Sequence, residues 1–145
     1  MVAGEFVDVY EKQTNSWDCI VTCFFIDTAH NFMEYCETIH KTLKPGGLWV
    51  NIGPLLWHYA DQPEEQQIEL PWEEIEQLIP KMGFTFRKRE WKKCYYTNRL
   101  NSMLNIEYNS IFFSCTKDIS EDDEENEDIG EEGEEEDEEI KDQSE

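Results

Sequence analysis

Ten residues near the start, Trp17 to Ile26 (WDCIVTCFFI), are almost continuously apolar and show no alternation. A run of that kind fits a strand covered on both faces, as in a parallel sheet, better than a strand with one wet side. The segment after it changes period. From Thr28 to Leu43 the apolar residues Ala29, Phe32, Met33, Cys36, Ile39 and Leu43 recur at three and four, which draws one stripe along a helix. Pro45-Gly46-Gly47 stops that helix, and Leu48 to Ile52 (LWVNI) reads as a second short buried strand. Strand, helix, strand in this order demands a crossover, so the chain is expected to form a layered α/β sheet.

The rest of the chain extends the alternation. Met1 to Phe6 reads as the end of a strand, and Val7 to Gln13 as a connection or half-helix. A polar loop, Asp61 to Glu69, precedes Pro71, which suits the first turn of a helix reaching about Met82 with Trp72, Ile75, Leu78, Ile79 and Met82 inward. Pro80 should kink or shorten its last turn, and Gly83 ends it. Phe84 to Tyr96 and Tyr108 to Thr116 read as two strands around a loop near Asn98 to Asn105, finishing the sheet with an antiparallel pair. No internal repeat is present.

Charge divides the chain more sharply than pattern does. Residues 118–145 hold 18 acidic residues and one lysine, a net charge of −17. Residues 1–117 hold 16 acids and 11 bases, a net of −5. The tail lacks the apolar surface to offset its ordering entropy and repels itself, so it is expected to stay disordered. The folded portion is therefore 1–117, with 118–145 an acidic tail. The body offers no basic stripe for phosphates, which argues against nucleic acid as a partner. The longest apolar stretch, Cys19 to Ile26, is far below the roughly 20 residues that span a bilayer, so no membrane partner is expected.

The five cysteines, Cys19, Cys23, Cys36, Cys94 and Cys115, are odd in number and contain no C-x-x-C pair. Reduced thiols in a cytoplasmic protein, with the nucleus as a second compartment, are the natural reading. Cys19 and Cys23 lie four apart, so on a strand both should face the same buried side, as core rather than as metal ligands. No metal site is expected.

Four features come in a telling order: Gly4-Glu5 after a strand, Asp18 opening a buried strand, Leu43 to Gly47 (LKPGG) after a helix, and Gly83-Phe84 after the next one. That order resembles the second half of a class I methyltransferase. The segments SWDCIVTCFFIDTAHN (Ser16 to Asn31), LKPGGLWVNIGPLLWHY (Leu43 to Tyr59) and the stretch from Ile68 narrow the resemblance to the carnosine N-methyltransferase family, over residues 1 to about 117.

The resemblance implies a Rossmann-like domain that moves a methyl group from S-adenosylmethionine to an imidazole nitrogen of carnosine, giving anserine, or of a related histidine-containing dipeptide. It implies that Glu5 takes the acidic position near the adenine, with Phe6 beside it and Cys23 at the strand end facing the cofactor. Asp27 and His58 match the family's substrate-binding and catalytic positions, and Tyr96 and Tyr108 match substrate-binding tyrosines. By position alone, Asp27 reads as a helix N-cap, His58 as a surface residue, Cys23 as core and the tyrosines as strand aromatics. Glu5 departs from the family, where aspartate is commoner, and Ile106 and Glu107 stand where aromatics are usual.

The glycine-rich cofactor loop expected of such a domain is not found in this sequence. Met1 falls where the family is already internal, so the chain reads as a shortened form. A central strand would then expose an edge, inviting a homodimer or another partner. The alternative reading is a non-catalytic interaction protein whose acidic tail binds basic proteins.

Overall fold

The computed structural model describes residues 1–60, 62, 67–97 and 101–120. The expected disorder beyond residue 120 and parts of the two polar loops lie outside the described residues. Four strands form one sheet: β1 (Trp17–Cys23), β2 (Leu43–Gly53), β3 (Phe84–Cys94) and β4 (Tyr108–Lys117). Their spatial order is β1-β2-β4-β3, with β1 and β2 parallel and the other two pairings antiparallel. The helices are α1 (Phe6–Tyr10), α2 (Phe32–Thr42) and α3 (Trp72–Lys81). The α/β class and the terminal antiparallel pair follow the sequence reading.

One face of the sheet carries the core. Trp49 of β2, Ile111, Phe113 and Cys115 of β4, and Phe84 of β3 meet Phe32, Cys36 and Ile39 of α2 and Trp72, Ile75 and Ile79 of α3. The stripe predicted for α2 is buried except at Met33, which is half-buried. Pro80 is accommodated in the last turn of α3, where the Met82 N–H donates to the Leu78 and Ile79 carbonyls at 3.1 Å each. Gly83 then turns the chain at φ +82°, and a Cβ there would lie 2.7 Å from His40 Nε2.

Several expectations are corrected. Residues 1–5 form no strand; Glu5 instead caps α1, its carboxylate accepting the Asp8 N–H at 3.1 Å. Helix α2 begins at Phe32 rather than Thr28, because Ile26–Thr28 form a 3-10 turn and Asn31 supplies the cap to Met33 N. Pro45-Gly46-Gly47 does not end that helix, which stops at Thr42. The dipeptide of glycines lies inside β2, at a bulge where the register jumps from Trp17↔Leu43 to Cys19↔Leu48. A Cβ on Gly47 would sit 2.8 Å from the Lys44 carbonyl oxygen, so the bulge requires glycine.

The largest correction concerns β1. It is an edge strand among the described residues, hydrogen-bonded to β2 alone, and only Thr22 of its seven residues is buried. Cys19 and Cys23, expected in the core, are both exposed. The apolar code of β1 is that of a covered strand, yet its second neighbour is absent among the described residues. The outer face of the sheet is likewise only half-buried at Val50, Ile52 and Phe112.

Candidate functional site

The sheet's topology gathers chemistry at one end. Parallel β1 and β2 both point there, and β4 starts there because it runs against β2, with Gly53 opposite Ile111. Tyr108 opens β4 opposite Cys94, the last residue of β3, and Tyr96 follows two residues later. Asp27 stands in the 3-10 turn after β1, and His58 in the loop after β2. All four line a single cavity of about 490 Å³, together with Phe24 and Thr28. Residues far apart in sequence are thus brought together around one cavity.

Asp27 is only 2 % exposed. Its Oδ2 accepts the Leu56 N–H at 3.1 Å, whereas its Oδ1 has no hydrogen-bond partner among the described residues. Burial pushes its carboxyl above the usual carboxylate range, against the opposing pull of the Leu56 N–H and nearby His58. A buried carboxylate oxygen without a donor is costly, and such groups concentrate where a ligand completes them. The N-cap reading of Asp27 is overturned by geometry, since Asn31 caps α2 instead.

The Asp27 main chain fixes His58. Its carbonyl oxygen accepts the His58 backbone N–H at 3.1 Å and lies 3.1 Å from His58 Nδ1. A carbonyl can only accept, so Nδ1 carries the proton and Nε2 keeps the lone pair in the neutral ring. The pair is one unit: a buried carboxylate with a spare acceptor and an imidazole in a defined tautomer.

Tyr96 is exposed at the rim, and Tyr108 is half-buried. Both tyrosine rings stand edge-on to Phe24, with centroids 5.1 and 5.5 Å away. Phe24 was not singled out by sequence reasoning, and nothing local marks it. Thr28, also missed, is held by its hydroxyl donating to the Phe25 carbonyl at 2.6 Å.

The residues that the resemblance assigns to the cofactor lie beside this cavity rather than in it. Glu5 and Phe6 line a recess of about 300 Å³ whose wall includes Thr28, the residue shared with the Asp27 cavity. Cys23 and Phe6 line a longer cleft of about 470 Å³ along β1. Phe6 packs edge-on against Phe25 at 5.1 Å and Tyr35 at 5.0 Å, giving this side an aromatic surface. An aromatic recess with a carboxylate at its mouth fits a purine bearing an amino group, although one oxygen of Glu5 is already engaged by Asp8. Cys23 is exposed at the end of β1 and supplies wall rather than chemistry.

Comparison with known proteins bears on the family and the fold. The family model for carnosine N-methyltransferase matches residues 1–119. The chain is 43 % identical over 118 residues to carnosine N-methyltransferase of Rattus norvegicus, a match spanning 81 % of this chain and 29 % of that protein. It is 47 % identical over 113 residues to the Dictyostelium discoideum enzyme of that name, spanning 78 % of this chain and 24 % of the relative. The chain thus spans less than a third of the length of these relatives. Among solved structures, a SAM-dependent methyltransferase from Methanosarcina mazei superposes with a TM-score of 0.53 at 15 % identity, over 74 % of this chain and 62 % of that one. At that identity the likeness speaks for the fold alone. Family match and fold together show that this chain belongs to the carnosine N-methyltransferase family.

Proposed function

We propose that the cavity holding Asp27 and His58 binds the imidazole ring of carnosine, or of a related histidine-containing dipeptide, as methyl acceptor. The observation that carries this reading is the buried, unpartnered Asp27 Oδ1 in the same cavity as His58. An imidazole N–H donated to Oδ1 would satisfy that oxygen. It would also fix the tautomer in which the opposite ring nitrogen presents its lone pair, as carboxylate–histidine pairs do elsewhere. His58 Nε2, left free by the bond at Nδ1, would accept a proton or a second donor from the dipeptide. Tyr96 and Tyr108 would wall the ring and limit water. Most of the rate gain in such a displacement comes from holding nucleophile and methyl in line, so these groups act chiefly by placement.

S-adenosylmethionine, when bound, supplies the sulfonium methyl that the ring nitrogen attacks. Glu5, Phe6 and Cys23 would hold it, on the far side of Thr28 from the acceptor. Support for that cofactor comes from the family and the fold. The test is calorimetric titration of carnosine into the 145-residue chain, with and without S-adenosylhomocysteine. Saturable binding that Asp27→Ala abolishes supports the reading; a folded chain that takes up no carnosine in either condition sinks it.

A second reading is an interaction protein, in which β1 pairs with another chain, a second copy included, and the acidic tail binds basic proteins. The exposure of Val21, 67 %, on the open edge of β1 favours it. A salt-sensitive pull-down of basic proteins that vanishes on deleting residues 118–145 would support the tail's part. A monomer by light scattering would remove the self-pairing.

A further inference from the structure

Charge is unevenly spread over the sheet. Strand β3 carries Arg87, Lys88, Arg89, Lys92 and Lys93 against the single acid Glu90, a net of +4, although residues 1–117 as a whole carry −5. It is an edge strand among the described residues, paired with β4 alone. Its cations stand on both sides. Lys88 and Lys92 lie over the Phe112 ring on the outer face, 5.7 and 5.4 Å from its centroid, and share the Glu90 carboxylate at 2.9 and 2.8 Å. Arg89 lies over Phe86 on the α3 side and pairs with Glu76 at 2.8 Å, while Lys93 pairs with Glu107 at 2.7 Å. These four side chains stay 44–71 % exposed, and Glu76, Glu90 and Glu107 do not balance the five cations.

The chain leaves the sheet beside this edge. Strand β4 ends at Lys117, opposite Phe84 at the start of β3. Asp118 then donates its N–H to the Gly83 carbonyl at 2.9 Å, and its carboxylate accepts the Thr85 hydroxyl at 2.6 Å. The first acid of the tail is therefore already laid against β3. Residues 121–145, outside the described residues, hold 17 acids and one lysine, a net of −16. Fully extended they reach about 80 Å, against roughly 36 Å for the length of β3. Tethering at this point gives an effective concentration on the order of millimolar, and exposed charges attract within a Debye length of about 8–10 Å.

We propose that residues 121–145 dock within the same chain on the basic edge of β3, held by diffuse charge pairing rather than as a further strand. A lysine-rich edge deters other strands from pairing. Here the same cations also seat the tail, which covers the edge. A basic protein that binds the tail must first displace it from β3, so the contact limits which partners the tail can take. It is independent of what the Asp27 cavity binds.

The test is carbodiimide cross-linking of the full chain, read by mass spectrometry at about 20 mM and about 500 mM salt. In the monomer at low salt, Lys88, Lys92 or Lys93 should be joined to acids of residues 121–145, and these links should fall about fivefold or more at high salt. Tail links found only in dimers, where another copy's tail is caught, overturn the proposal. So do tail links that prefer Lys12, Lys44 or Lys81 to β3, or none in a sample that shows the Lys93–Glu107 link. A full-length variant with the acids of residues 131–139 changed to amides (Glu→Gln, Asp→Asn) gives a second reading. Lys88 and Lys92 should then acylate about threefold faster relative to Lys12, as the anions that shield them are lost. Unchanged relative rates overturn the contact.

Discussion

Strands β1 and β4 are written in similar letters and meet opposite fates. WDCIVTC and YNSIFFSCTK each hold a run of three apolar residues and a cysteine. Yet β4, paired on both edges, buries every second residue from Ile111 to Lys117 and Ser110 besides, while β1, paired on one among the described residues, buries only Thr22. Apolar content shows what a strand could tolerate; burial depends on which neighbours arrive. The polar link between the two makes the same point. Trp49 Nε1 donates to Thr22 Oγ1 at 3.0 Å, which donates to Asn51 Oδ1 at 2.8 Å, while Asn51 Nδ2 donates to the Ile111 carbonyl at 3.2 Å. One buried chain of hydrogen bonds ties β1 through β2 to β4, so β1's single buried residue is its anchor.

The contrast can be broken at its strong end first. Phe113 is fully buried, with Trp49 edge-on at 4.9 Å and Trp72 stacked at 5.9 Å. Phe113→Ala should therefore cost about 3–5 kcal/mol in a denaturant melt, enough to unfold a marginal domain. Asn51→Ala, by removing the acceptor of the Thr22 hydroxyl and the side-chain donor to the Ile111 carbonyl, should cost about 1–3 kcal/mol by the same measurement. A loss near zero would show that the polar chain holds nothing.

Asp27→Asn separates site from scaffold. Its carboxyl titrates above the unfolded value, so the ionised form disfavours the fold and that penalty grows as pH rises through the folded pKa. The neutral isostere should melt above wild type at neutral pH, with the difference closing below about pH 4, where Asp is protonated in both states. Carnosine affinity should fall about tenfold, roughly 1.4 kcal/mol, as the acceptor oxygen is lost. A variant that melts lower at pH 7 would contradict the assigned strain.

The smallest effect is the most diagnostic for β1. Val21→Thr should change stability by under about 0.5 kcal/mol if that edge faces water in solution. Native alkylation followed by mass spectrometry adds a second view. Cys19 and Cys23 should react first, whereas Cys36 and Cys115 are buried, and burial pushes the Cys115 thiol up to about 12. A costly Val21→Thr, or slow Cys19, would mean that something covers β1.

Much of the fold was legible because it rests on local periodicity. The stripe of α2, the start of α3 near Pro71, the stop at Gly83 and the strands read over Phe84 to Tyr96 and Tyr108 to Thr116, observed as Phe84–Cys94 and Tyr108–Lys117, follow from spacing and turn chemistry. The bulge in β2 was not, because Pro45-Gly46-Gly47 reads as a helix stop until the opposing strand at Asp18 shows why glycine is needed. The site divides in the same way. Asp27, His58, Tyr96 and Tyr108 could be named from resemblance to a family, while position alone made Asp27 a cap.

By itself, then, the sequence determined the alternation of strand and helix, the family, and the charge contrast between residues 1–117 and 118–145. Those properties depend on residue order and composition, which the chain carries wherever it goes. Only the tertiary structure decided that Asn31 is the cap, that Asp27 Oδ1 is buried without a donor, that His58 is held in one tautomer and that Phe24 turns left-handed against Gly53. Each of these is a relation between residues about thirty positions apart or between neighbours forced by such a contact, and no local pattern encodes the meeting of distant groups.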